Sequence, residues 1–133
     1  MTRKSIWPMA AGVLFVVIVT TLVDVILHLT HVFPPLDQPI DDVQALLATS
    51  YRVVIGIAGA WLTAKLAPSK PMTHVMWLGA IGALLAAIAV VATWNSGLGP
   101  RWYSVAIAAL AIPQSWAGGR LAVRQSVRQA RQA

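Results

Sequence analysis

The segment DVILHLTHVFPPLDQPIDD, residues 24–42, decides the fold because it ends the first long apolar run of the chain. It contains all four acidic residues of the sequence and two of its three histidines. Three prolines, at positions 34, 35 and 39, oppose the continuation of a helix through it. The segment therefore predicts a polar loop between two apolar helices.

The composition indicates that lipid is the solvent for most of the chain. Of the 133 residues, 58% are hydrophobic and 11% are charged, whereas a soluble domain carries about a quarter charged residues. This length allows one domain at most. The absence of cysteine from the sequence excludes disulfides, thiolate metal sites, Cys-ligated iron–sulfur clusters and Cys nucleophiles.

Four apolar windows meet the length of about 20 residues that a helix needs to cross a bilayer. Short breaks that are polar or rich in Pro and Gly separate them, and short connections imply antiparallel neighbours. We expect an all-α fold, an up-down bundle of four transmembrane helices over residues 1–119, followed by a basic cytoplasmic tail over residues 120–133. The expected spans are about 6–29, 43–67, 73–95 and 101–119.

The basic residues predict the direction of the spans. If the amino terminus is cytoplasmic, the outer segments hold only Arg101, and the inner ones hold Arg3, Lys4, Lys65, Lys70, Arg120, Arg124, Arg128 and Arg131. This distribution is typical of the positive-inside rule. Tryptophans near the ends of the spans agree with it, because amphipathic rings concentrate at the headgroup level. We expect both termini in the cytoplasm.

Two charged residues lie inside the apolar windows, Asp24 in the first and Arg52 in the second. A charge near the bilayer centre costs about 2.5–3.5 kcal/mol on insertion scales, so it usually has a partner. In antiparallel helices the depths of these two residues differ by about one turn. We predict an intramembrane ion pair between them. The alternative is that Arg52 extends to the interface while Asp24 binds water.

Asp24, His28 and His31 are spaced i, i+4 and i+7, which places them on one face of a continuous helix. Such a set can hold zinc or copper, with an aspartate of the following loop completing the shell. The structural alternative is a hydrogen bond between Asp24 and His28 in the last helical turn. A proton relay or a ligand site is the third interpretation.

Small residues recur at about four-residue intervals in the two middle spans. They include Gly56 and Ala60 in the second span, and Gly79, Gly82 and Ala83 in the third. This spacing lets helix backbones approach closely in a membrane. It predicts packing within the bundle, and a further interpretation is a homo-oligomer or docking to a larger membrane complex.

The last window contains a proline and leads into a basic segment. Pro113 removes a helix hydrogen bond and predicts a kink, with Gln114 and Ser115 available to satisfy freed backbone groups. Beyond the window, four basic residues on one helical side should attract anionic lipid headgroups, at about 1 kcal/mol each: Arg120, Arg124, Arg128 and Arg131. Nucleic-acid binding is not expected, since no aromatic interleaving accompanies these charges.

Five pieces of the sequence resemble a group of small, uncharacterised bacterial four-helix integral membrane proteins. They are FPPLDQP, YRVVIGIAGAWLTAKLAP, PMTH, GPRWY and PQSWAGG, at residues 33–39, 51–68, 71–74, 99–103 and 113–119. The resemblance covers about residues 24–121 and lies in hydrophobic layout and loop positions. It implies a four-helix fold and a multi-pass location in the bacterial inner membrane, and it implies no activity.

The sequence does not predict an enzyme. It has no GxSxG or HExxH motif, no phosphate-binding glycine loop and no glutamate. We expect a non-enzymatic accessory or scaffold protein, without a cofactor, that packs against another membrane protein or against itself. The alternative is a minimal oligomeric transporter or channel whose outward cavity is lined by Asp24, Arg52, His28 and His31. A metal-binding membrane protein is the third hypothesis.

Overall fold

The computed structural model describes residues 3–133, and within this range the chain is helical with no strand. The four helices are α1 (Arg3–Leu29), α2 (Asp42–Leu66), α3 (Pro71–Thr93) and α4 (Arg101–Gln132). The predicted all-α fold with four helices is therefore confirmed for the described residues. The loops fall at the breaks that the Pro, Gly and polar residues predicted.

Three of these helices, α1, α2 and α3, are long and apolar enough to cross a membrane. This supports a membrane location. α4 is long enough to cross a membrane but is not apolar enough over a membrane-spanning window. The sequence had predicted a fourth apolar span at 101–119. The physical reason is its content of polar and aromatic residues in that window, which include Trp102, Tyr103, Gln114 and Ser115.

α4 is nevertheless the helix with the most extensive packing. It lies against both α2 and α3 along its length, whereas α1 packs mainly on α2 and touches α3 less. A small apolar core where α4 meets its neighbours contains Ala60 and Ala64 of α2, Val75 of α3 and Ala122 of α4. A helix that is covered by protein on two sides needs less apolar surface than one that faces lipid.

Glycines allow this close packing. A Cβ atom built on Gly79 of α3 would lie 2.9 Å from Ser115 Cβ of α4, and one on Gly56 of α2 would lie 2.5 Å from Gln114 Cδ. Ala60 is fully buried. Gly56, Ala60 and Gly79 therefore lie at contacts between helices of the bundle. This agrees with the prediction that small residues at four-residue intervals pack within the bundle.

Gly82 and Ala83 of α3 are placed differently. A Cβ atom on Gly82 would meet only Ala111 Cβ, at an ordinary van der Waals distance of 3.8 Å. Ala83 is half-buried. The close contact between α3 and α4 thus centres on Gly79 rather than on the next turn of α3.

α4 continues without interruption from Arg101 to Gln132 and remains helical through Pro113. The basic segment 120–132 is therefore the second part of α4. Two consecutive glycines, Gly118 and Gly119, do not end the helix because both are buried against neighbouring helices. The residues after them are mostly Ala, Arg, Gln and Val, and Ala, Arg and Gln favour helix.

Candidate functional site

The two ends of the bundle differ in charge, and each takes its name from its loops. The acidic end contains the α1–α2 loop, residues 30–41, and the α3–α4 loop, residues 94–100. The basic end contains the α2–α3 loop, residues 67–70, and the part of α4 beyond Gly119. The candidate site lies in the half of the bundle next to the acidic end.

The structure brings Asp24 and Arg52 together. Arg52 Nη2 of α2 donates to Asp24 Oδ2 of α1 over 2.7 Å. The side chain of Asp24 is 29% exposed and that of Arg52 is 33% exposed, so the ion pair is partly buried. It is the ion pair that their depths in the first two helices predicted, and it joins two antiparallel helices across their interface.

Two tyrosines extend this pair into a cluster. The hydroxyl of Tyr51 donates to Asp24 Oδ1, so both carboxylate oxygens have a donor. The guanidinium of Arg52 lies 5.7 Å from the ring centre of Tyr51, and Tyr103 of α4 lies beside Arg52. These four residues, which we call the Asp24 cluster, connect α1, α2 and α4.

The Asp24 cluster has unused hydrogen-bonding capacity. Asp24 accepts from two donors, which satisfies a carboxylate well in a low-dielectric environment. Arg52 Nε is buried and has no partner among the described residues. Chemically, the cluster is a neutralised charge pair with a spare N–H donor.

The two histidines of the acidic end do not join this cluster. His28 Nδ1 donates to the backbone oxygen of Asp24 over 2.7 Å, not to its carboxylate. α1 ends at Leu29, and His31 lies two residues later in the left-handed conformation with φ of 59°. The face predicted for Asp24, His28 and His31 is therefore broken before its third member.

The predicted three-residue ligand set is not brought together at this end of the described chain. Within residues 3–133, no group of three His, Cys, Asp or Glu side chains lies close enough to hold a metal ion. The reason is the turn at His31, whose N–H donates to the oxygen of His28 over 3.2 Å and directs the chain away from the helix axis. The predicted ligand set of Asp24, His28 and His31 is corrected accordingly.

Two aspartates at the beginning of α2 have structural roles that were not predicted from the sequence. Asp41 is the N-cap of α2: its Oδ1 accepts from Gln44 N over 2.7 Å, and Gln44 Oε1 accepts from Asp41 N over 3.0 Å. Asp42 Oδ1 accepts from Trp102 Nε1 of α4 over 2.7 Å. The order Asp-x-x-Gln before an apolar run is the signal of a capping box and could have revealed the first role.

The acidic end is closed by contacts between its two loops. Ile40 N donates to Leu98 O over 3.0 Å. A Cβ atom on Gly99 would lie 2.9 Å from Ile40 Cγ1, so glycine is needed there for the loops to meet. Arg101 stacks on Trp94, with its guanidinium carbon 5.0 Å from the ring centre, and its Nε donates to Trp94 O over 3.1 Å.

At the basic end, α2 holds the second part of α4 in place. Trp61 Nε1 donates to Gln125 Oε1 over 2.8 Å, and Lys65 Nζ donates to Ser126 Oγ over 3.4 Å. The four arginines of this segment are exposed, and the guanidinium of the first lies 5.4 Å from the ring centre of Trp116. They are Arg120, Arg124, Arg128 and Arg131.

Comparisons of the chain with protein-family models, curated proteins and solved structures found no match. The contacts of the Asp24 cluster and of the two ends of the bundle are therefore the basis for a function.

Proposed function

We propose that this protein is a small, non-enzymatic accessory or scaffold protein of the bacterial inner membrane. Its four helices cross the bilayer, with both termini in the cytoplasm, and the basic part of α4 extends from the membrane surface. Three helices that are apolar enough to span support the membrane location. The basic residues near both termini support the orientation.

α4 belongs in the bilayer with the other three helices in this proposal, although it is less apolar. Its window from Arg101 to Gly119 packs between α2 and α3, and Ser115 is only 5% exposed. Polar residues in a membrane are favoured where they face protein rather than lipid. The contacts at Gly79 and Gly56 supply such protein surfaces.

The observation that carries the proposal is the uninterrupted helical continuation of α4 beyond Gly119. At about 1.5 Å per residue, the basic segment is about 20 Å long. The hydrogen bonds from Trp61 and Lys65 fix its direction relative to α2. A fixed basic helix at the membrane surface is suited to binding anionic headgroups or an acidic surface of a second membrane protein.

Sidedness can be tested directly because the sequence contains no cysteine. Single cysteines at Ala133 and at Leu98 would be labelled in intact cells with a membrane-impermeant maleimide. We expect labelling at position 98 and no labelling at position 133 until the membrane is opened. Labelling at 133 in intact cells contradicts the proposed topology.

The accessory role is tested by native purification in mild detergent. We compare the wild type with a variant in which Arg120, Arg124, Arg128 and Arg131 are Gln. A stoichiometric partner, or bound anionic lipid, that is present with the wild type and lost with the variant supports the role. Equal recovery with both proteins argues against it.

A minimal oligomeric transporter or channel is the second candidate, because Arg52 Nε has no partner in a cluster that is about one-third exposed. It requires a polar path through several copies. Ion or solute flux in liposomes that contain only this protein, and its loss in Arg52→Gln, would favour this candidate over the accessory role.

A further inference from the structure

A cavity of about 200 Å³ lies near the midpoints of α1, α2 and α3. It opens between α1 and α3, where its lining side chains are exposed apolar ones such as Val13, Val17, Ile81 and Leu85. Its floor is formed by α2 and α4. In the proposed orientation this opening faces the hydrocarbon of the bilayer.

Two polar side chains of α4, Gln114 and Ser115, line this otherwise apolar cavity. The side-chain hydrogen bonds of α4 lie near its two ends. None involves either of these residues within the described part of the chain. An amide or hydroxyl without a partner in an apolar environment is costly, so a partner from outside the chain would stabilise these groups.

The shape of the floor presents the amide of Gln114 to the cavity. Its Cδ, Oε1 and Nε2 atoms would lie 2.5–2.8 Å from a Cβ atom on Gly56, so the amide rests on the bare backbone of α2. Any larger residue at position 56 would displace it. The amide offers one acceptor and two donors.

The lining restricts the class of ligand. None of the side chains that line the cavity is ionisable, so a charged group would be unpaired there. The volume is below the range of about 300–1,000 Å³ that is typical of drug-sized sites. A small molecule of one or two fused rings, or a short chain, with one polar atom fits these limits, and an entire lipid does not.

We propose that this cavity binds a neutral, membrane-soluble molecule with an apolar body between α1 and α3 and a carbonyl or hydroxyl group hydrogen-bonded to Gln114. The Ser115 hydroxyl is the second polar partner. The inference rests on the proposed function in one respect: the membrane location makes the opening of the cavity face lipid. It assigns a binding role to the same residues that lower the hydropathy of α4.

The test uses 1-naphthol and naphthalene, which share a ring system and differ by one hydroxyl. Equilibrium dialysis against nanodiscs with the full chain, corrected by empty nanodiscs, measures saturable binding. We expect one site per chain for 1-naphthol and about tenfold weaker binding of naphthalene, which corresponds to one hydrogen bond of about 1.4 kcal/mol. No saturable binding, or equal binding of the two probes, overturns the proposal; equal binding indicates an apolar groove filled by acyl chains.

Two variants locate the binding. Gln114→Leu should remove the preference for 1-naphthol over naphthalene, and Gly82→Leu should abolish binding of both by filling the cavity. Ala89→Leu, on the exposed part of α3, is the matched control and should bind as the wild type does. A retained preference in a helical Gln114→Leu protein overturns the assignment. If the Gln114→Leu protein loses its helical circular dichroism, Gly82→Leu becomes the deciding variant. Unchanged probe binding in Gly82→Leu then overturns the assignment.

The dialysis tests the ligand site and the cysteine labelling tests the topology, so failure of one proposal can be told apart from failure of the other. Correct labelling at positions 98 and 133 with no saturable probe binding removes the ligand site and leaves the accessory function. Labelling of position 133 in intact cells together with saturable probe binding contradicts the proposed topology but supports the cavity as a binding site.

Discussion

Arg52 of α2 and Asp24 of α1 form an ion pair of 2.7 Å across the interface between their helices. The pair neutralises two charges that would each be unfavourable in hydrocarbon. Since Tyr51 also donates to Asp24, the carboxylate is held by two residues of the same helix. Among the described residues, the side-chain hydrogen bonds from α2 to α1 therefore converge on one acidic side chain.

Removing either member of the ion pair should weaken the bundle. We expect Asp24→Asn and Arg52→Gln each to lower the free energy of unfolding by about 2 kcal/mol, because a hydrogen bond to a charged group is worth about 1.5–3 kcal/mol. The double variant should lose less than the sum of the two. Unfolding in mixed detergent micelles measures the cycle, and additive losses would show that the two residues do not interact.

The hydroxyl of Tyr51 should contribute separately from its ring. Tyr51→Phe keeps the ring under Arg52 and removes only the hydrogen bond to Asp24. We expect a loss of about 1.5 kcal/mol in the same unfolding assay. Ser50→Ala is the control, because the Ser50 hydroxyl is exposed and bonds only within its own helix. Similar effects of the two substitutions would contradict a specific role for Tyr51.

The loop aspartates should differ in their effect on stability. Asp41→Ala removes the N-cap of α2 and should cost about 1 kcal/mol. Asp37→Ala, at an exposed position in the same loop, should have no measurable effect. Comparing thermal unfolding of the two variants separates the capping contribution from the loss of a negative charge. Equal effects would point to the charge alone.

Neighbouring glycines of α3 should respond oppositely to the same substitution. A methyl group at Gly79 would lie 2.9 Å from Ser115 Cβ, whereas at Gly82 its nearest neighbour is 3.8 Å away. Gly79→Ala should therefore cost about 1–3 kcal/mol through overpacking. Gly82→Ala should be neutral or stabilise by up to about 1 kcal/mol, because alanine favours helix. Thermal unfolding decides, and a tolerated Gly79→Ala would refute the close packing of α3 on α4.

The structural features that depend only on residue spacing along the chain were predictable from the sequence. Helix lengths, loop positions and the depth match of Asp24 with Arg52 are all obtained by counting residues along the axis. The role of Tyr51 was not predictable, because it depends on how α1 is rotated against α2. Position along a helix is read from sequence number, but rotation is set by packing.

Two further features of the helices have local causes. The histidine spacing suggested a common face only if α1 continued to His31, and the left-handed residue at that position ended it. α4 continues past Gly119 because glycine terminates a helix only where the chain is free to turn. There the glycine is buried against Met72 and Val75 of α3.

The central position of α4 has a consequence for biosynthesis. In the proposed arrangement, α4 leaves the ribosome after α1, α2 and α3, and it is the least able of the four to partition into lipid unaided. The grooves of α2 and α3 that receive Gln114 and Ser115 are synthesised before it. The order of translation thus provides a proteinaceous template for the segment that requires one, and a circular permutant that begins with α4 should insert poorly.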